Sequence, residues 1–218
     1  MACNAIDREN GLRQRELKFM LPYVNKALLF AYYKHDLGEA ENIFSKLIGE
    51  PGESNDLFAN KKSFETGIVM FAMGSVMARG RRLPEALDLL RRAVDVLEQT
   101  HGEDAVFTLA ATYRMAVCLF DLAKYEEAML YLDKLNRAYK DYGRTFGEDF
   151  LYQKARALWK GGRTLHALCW DDAKAEGQEM LDDAMRIRGD VTGLPCSSSQ
   201  EEALDDDDWD HLVNHQYR

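Results

Sequence analysis

Apolar residues recur along this chain at helical spacing, in a frame that repeats. Gly74, Leu83, Ala86, Leu90 and Ala93 form one copy, and Ala116, Tyr125, Ala128, Leu132 and Leu135 form the next. Both read small, eight residues, large, two residues, alanine, three residues, large, two residues, alanine or leucine. The anchor alanines Ala86 and Ala128 stand 42 residues apart. A period of that length marks a supersecondary unit that buries its apolar face only by stacking on a neighbour. The pattern predicts helices over 16–34, 37–48, 62–78, 83–98, 105–121 and 125–142. A weaker fourth pair is predicted over 150–160 and 165–188, with Gly161-Gly162 as its turn and Ala167 as its anchor.

Turn chemistry refines these limits. Gly80 is expected to take a positive φ at a helix end, and Pro84 suits the first turn of the following helix. Residues 1–14 read as a polar lead segment, 15–188 as one helical repeat domain and 189–204 as a linker. Residues 205–218 read as an acidic C-terminal helix with Trp209, Leu212 and Val213 on one side. The fold class is therefore all-α: an α-solenoid of about four antiparallel helix pairs and a short last helix.

Much of the net charge of −9 sits in Glu201, Glu202, Asp205, Asp206, Asp207, Asp208 and Asp210. That distribution argues against nucleic acid as a partner. No apolar run reaches the roughly 18 residues of a membrane span. The first residues lack the pattern of a secretory signal, so the expected location is the cytoplasm. Cys3, Cys118, Cys169 and Cys196 have no metal-like spacing, and Cys118 and Cys169 are expected as reduced core cysteines. His211 and His215, with Asp207 or Asp208 one turn earlier, are weighed as metal ligands and set aside as solvated. His166, Cys169 and Asp172 are weighed as a nucleophile with its base; Cys169 is expected to pack beside Leu165 and Leu168 instead. No catalytic residue, metal or cofactor is expected. Ser198 and Ser199 precede acidic residues and are candidate phosphorylation sites.

The Gly74–Ala93 and Ala116–Leu135 frames resemble the tetratricopeptide repeat, in the longer version found in kinesin light chains. The connector Gly102-Glu103-Asp104 with Thr108-Leu109 is similar to the one between those repeats, although Ala105 and Val106 replace its His and Pro. The ending Asp206–Val213 is similar to that of helical-repeat proteins common in filamentous fungi. The resemblance covers about residues 25–188 and implies that the first helix of each pair lines a concave peptide-binding groove. Carried over, the groove positions are Asn25, Leu29 and Tyr33; Phe71, Ser75 and Arg79; Tyr113, Val117 and Asp121; and Tyr152, Arg156 and Lys160.

This set offers an aromatic row beside a partly basic one, and inter-repeat core with a solvated rim is the competing reading. The expected function is a non-enzymatic protein–protein interaction adaptor for an acidic or partly apolar peptide. The partner is a protein or peptide, the chain a monomer or weak homodimer. An accessory subunit of an enzyme or of a fungal biosynthetic pathway is the alternative, and a helical-repeat enzyme the second. Residues 205–213 could dock on the repeat body through Trp209, Leu212 and Val213, with the basic set as one acceptor; this is one hypothesis, set against two other readings. A capping helix and a segment without fixed structure are the other outcomes.

Overall fold

The computed structural model describes residues 21–48, 63–142, 148–169, 171–193 and 204–213, and every regular element among them is helical. The chain divides into two compact units, Met1–Ala105 and Val106–Arg218. The first holds α1 (21–33), α2 (Leu37–Ile48), α3 (Phe64–Arg79) and α4 (Leu83–His101). The second holds α5 (Val106–Asp121), α6 (Tyr125–Tyr142), α7 (Glu148–Leu168), α8 (Asp171–Thr192) and the short α9 (Asp206–Asp210). Within each unit the helices pair as hairpins of the α-solenoid type.

In the first unit Ser63 caps α3, its hydroxyl accepting from the Thr66 amide at 3.2 Å. This satisfies one of the amides left open at a helix start. The repeat alanines do what their spacing implies: Ala86, Leu90, Ala93 and Leu97 of α4 are buried, with Leu97 against Gly67 and Ala86 and Leu90 against Gly74 of α3. In the second unit Ala116, Leu132, Leu135, Tyr139, Phe150 and Leu165 share one core. A second core joins Leu158 and Trp159 of α7 to Leu181, Ala184 and Ile187 of α8.

Two turn expectations are corrected. Gly80 has φ −75°, and the left-handed residue is Arg81, at φ 62°. His35, Ala123 and Cys169 have φ 53°, 57° and 56°. Each of these four residues stands two before the second helix of its hairpin. In three of them the next amide closes the turn on the preceding helix: Asp36 to the Phe30 carbonyl at 3.0 Å and, each five residues back, Arg82 to that of Met77 and Lys124 to that of Leu119, both at 2.9 Å. The latter two are the Schellman arrangement. The repeat thus fixes the turn geometry while leaving the residue type open.

Gly161-Gly162 also departs from the expected turn. The pair is not a turn: α7 runs through it to Leu168, and the break falls at Cys169. Ala167 therefore belongs to α7 and anchors nothing in α8. A Cβ on Gly162 would stand 2.6 Å from the Gly177 carbonyl and from Leu181, just as one on Gly74 would stand 3.3 Å from the Ala86 carbonyl and 2.7 Å from Leu90. Gly177 thus fills the place of the anchor alanine. Mid-helix glycine costs about 1 kcal/mol in propensity, offset here by the close approach of two backbones. Further along, α8 extends to Thr192 rather than Arg188 and stops at Gly193, whose φ is 68°. Cys169 is exposed in its turn and does not pack in the core.

These turns give opposite expectations for two substitutions. Ala123→Gly relieves a left-handed alanine and should stabilise the fold by about 1 kcal/mol. Gly162→Ala forces α7 and α8 apart and should destabilise it by about 1–3 kcal/mol. Thermal melts followed by circular dichroism check both signs.

Candidate functional site

Within α5, Val106–Phe120, a single charged residue interrupts an otherwise uncharged sequence: Arg114. On α7, Arg156 and Lys160 lie one turn apart, and Trp159 beside them points into the second core. Placing three cations on buried faces is costly unless each meets an anion or a strong acceptor. The anions come from α9. Asp210 lies between two guanidiniums, its Oδ2 bonded to Arg114 Nη2 and its Oδ1 3.2 Å from Arg156 Nη1. Asp206, one turn earlier, accepts from Lys160 Nζ at 2.8 Å. Arg156 is 0% exposed and Asp210 3%.

The indole of Trp209 stacks on Trp159, with centroids 5.5 Å apart and planes 30° from parallel, and it is 0% exposed. Arg188 of α8 lies over its ring at 5.6 Å. Val213 is buried, while Leu204 and Leu212 pack at the margin of the same core. The cations are also held by aromatic rings. Arg156 lies 4.2 Å from the centroid of Tyr113, and Lys160 lies 4.5 Å from that of Phe120. Burial pushes the Tyr113 phenol well above its usual range, and the nearby Asp206 and Asp210 charges push it the same way. The phenol therefore stays neutral beside the ion pairs.

The segment closes its own turn. Asp205 and Asp208 form a reciprocal capping box, each side chain accepting from the other's amide at 3.0 Å. Two such bonds hold a turn that is otherwise too short to persist. Asp205 and Asp208 are exposed, whereas Asp206 and Asp210, four apart, share the side turned to α7.

The other groove positions are distributed differently. Phe71 and Ser75 are buried in the first unit, the Ser75 hydroxyl donating to the Phe71 carbonyl at 2.9 Å. Arg79 lies 4.9 Å from the Tyr32 ring and 3.3 Å from His35 Nδ1. Asn25 is half-buried, and Leu29 and Tyr33 are exposed. Val117 lies in the core of the second unit, Asp121 is exposed and Tyr152 is half-buried. With Gly162 in register with Gly74, Trp159 takes the place of Phe71 and Tyr113, three residues before the small position. Counting from Ala167 instead puts Tyr152 there. The groove frame takes one residue per turn and so passes over Arg114, although its isolation in an uncharged helix marks it.

None of the chemistry weighed on the sequence assembles among the described residues. The Cys169 thiol faces the His166 carbonyl at 3.6 Å, and the Asp172 side chain, His215, Ser198 and Ser199 lie outside the described residues. His211 Nδ1 lies 2.6 Å from the Asp207 carbonyl. Among the described residues no group of three acidic, His or Cys side chains could hold a metal, and no helix is long and apolar enough to cross a membrane.

Residues 65–141 match the tetratricopeptide repeat family. No curated protein sequence matches the chain significantly. Among the solved structures that resemble it are two of nearly identical TPR-like repeats from a Podospora anserina protein named as a candidate kinesin light chain. One, a single-substitution form of those repeats, is 13% identical with a TM-score of 0.54, covering 86% of this chain and 94% of that one. The other is 12% identical with a TM-score of 0.54, covering 90% and 95%. At such identity the likeness concerns the fold.

The thiols give a direct check. Burial pushes Cys118 up to about 11, so little thiolate forms at pH 8. Iodoacetamide at that pH should label exposed Cys169 and spare Cys118 until the protein is denatured, as read by peptide mass mapping.

Proposed function

We propose, on the premise that this is a tetratricopeptide-repeat protein, that it serves as a non-enzymatic adaptor binding an acidic, partly apolar peptide segment. Tetratricopeptide repeats are typically interaction scaffolds without catalysis. The peptide chemistry rests on one observation: Arg114, Arg156 and Lys160 with Trp159 are matched by two carboxylates and an indole of the chain's own α9. A face that accepts this chemistry from its own chain has the charge and shape to accept it from another. Arginine favours such a site because its planar fork pairs with carboxylates and also lies over aromatic rings. Specificity would come from the charged pairs and affinity from the buried indole. The cytoplasm is the compartment in which we place this activity.

In the first unit the corresponding positions give no comparable seat, since Phe71 and Ser75 are buried and Arg79 is engaged with Tyr32 and His35. We therefore assign the binding role to α5 and α7.

A peptide-display selection against the full chain should enrich short sequences combining Asp or Glu with Trp or Phe. Binding of those sequences should weaken tenfold or more on Lys160→Glu, measured by fluorescence anisotropy. Enrichment without an acidic–aromatic bias would sink the reading.

A further inference from the structure

We infer that α9 and its flanking residues, Leu204–Val213, are a built-in competitor for this seat: the segment must leave before a partner peptide of the same chemistry binds. The inference rests on the reading of α5 and α7 as a peptide seat.

Three observations carry it. First, the segment is folded by its own bonds. Besides the capping box, the Trp209 amide donates to the Asp205 carbonyl at 3.4 Å, His211 to Asp207 at 2.9 Å and Val213 to Asp210 at 3.1 Å. A unit that closes its own backbone can leave the surface without dismantling a helix of the repeats. Second, the contacts that hold it are of the kind a peptide ligand makes: two carboxylates four residues apart on three cations, one stacked indole, and apolar Val213 one turn beyond. Third, the cations are placed for an anionic occupant. Packing α5 on α7 gives no reason for Arg114, Arg156 and Lys160 to gather, and buried charge is retained only where it is matched.

The segment is joined to α8 through residues 194–203. A short connection presents it to the seat at an effective concentration of about 1 mM. If the isolated segment bound with a Kd of about 10 μM, the tethered one would fill the seat about 99% of the time. An external peptide of equal intrinsic affinity would then be weakened about 100-fold, because only the open fraction can bind. The displacing partner must supply carboxylates four residues apart with an aromatic residue just before the second, on a single helical turn.

The probe for the test is a fluorescein-labelled peptide with the sequence of residues 204–213, with blocked ends. It is titrated against the full chain and against the full-length Trp209→Ala/Asp210→Asn variant. Binding at least tenfold tighter to the variant supports self-competition. Equal affinity for both overturns it but leaves the peptide seat standing, and binding to neither overturns both. Hydrogen exchange on the wild-type chain supplies a second reading that needs no variant. Excess unlabelled peptide should speed exchange at the Trp209, His211 and Val213 amides while α7 stays protected. If the variant loses its helical circular dichroism, or if the peptide leaves exchange at those amides unchanged, the segment is a fixed part of the fold and the proposal fails.

Discussion

One carboxylate held between two guanidiniums sets the register of α9 against the second unit. Arg114 comes from α5 and Arg156 from α7, and neither position is wet enough to keep its charge without a counter-ion. Removing one member of a buried ion pair typically costs 3–5 kcal/mol, because the charge left behind is uncompensated. Asp210 therefore fixes more than its own position. With it in place, helical geometry brings Asp206, four residues earlier, to Lys160, and puts Trp209 against Trp159. A shift of one residue in either direction would separate all three contacts at once. The register of a five-residue helix is thus determined by charge geometry, where backbone propensity alone would leave it undefined.

The two units are built by the same devices. Both use alanine and glycine positions to bring paired helices close, and both use a left-handed residue to reverse the chain. They differ in what stands beside the shared aromatic position. Beside Phe71 is Ser75, whose hydroxyl turns back to its own helix, so that neighbourhood is ordinary core. Beside Tyr113 and Trp159 stand cations. The scaffold is common to both, and the chemistry comes from a few substitutions on first helices.

Most of the fold was legible from spacing. The Ala86 and Ala128 frames place α3 to α6 within about three residues at each end, because helix periodicity and burial act on the same positions. The fourth pair was not, since Gly161-Gly162 has the composition of a turn and the reason it is helical, the approach of Gly177, lies in another helix. The left-handed turn residues were equally hidden: histidine, arginine, alanine and cysteine carry no turn signal, and tertiary packing imposes the conformation. At the candidate site, Arg156, Lys160 and Trp209 were legible as a basic set and an anchor. Their pairing with particular acids was not, because it depends on how α5 and α7 lie together. Trp159 was lost with the misplaced frame.

The contact between Arg114 and Asp210 spans 96 positions of the chain. During synthesis at about 5–20 residues per second, Arg114 waits roughly 5–20 s for its carboxylate to be made. As each is completed within that interval, α5 through α8 can pair as hairpins, but their cations have no acid from α9 to meet. On the proposed reading of α5 and α7 as a peptide seat, the nascent second unit is then a cationic, aromatic surface that an acidic chain nearby can occupy first. Assembly with a partner during translation and assembly afterwards would then be different events, one meeting a vacant seat and the other a filled one.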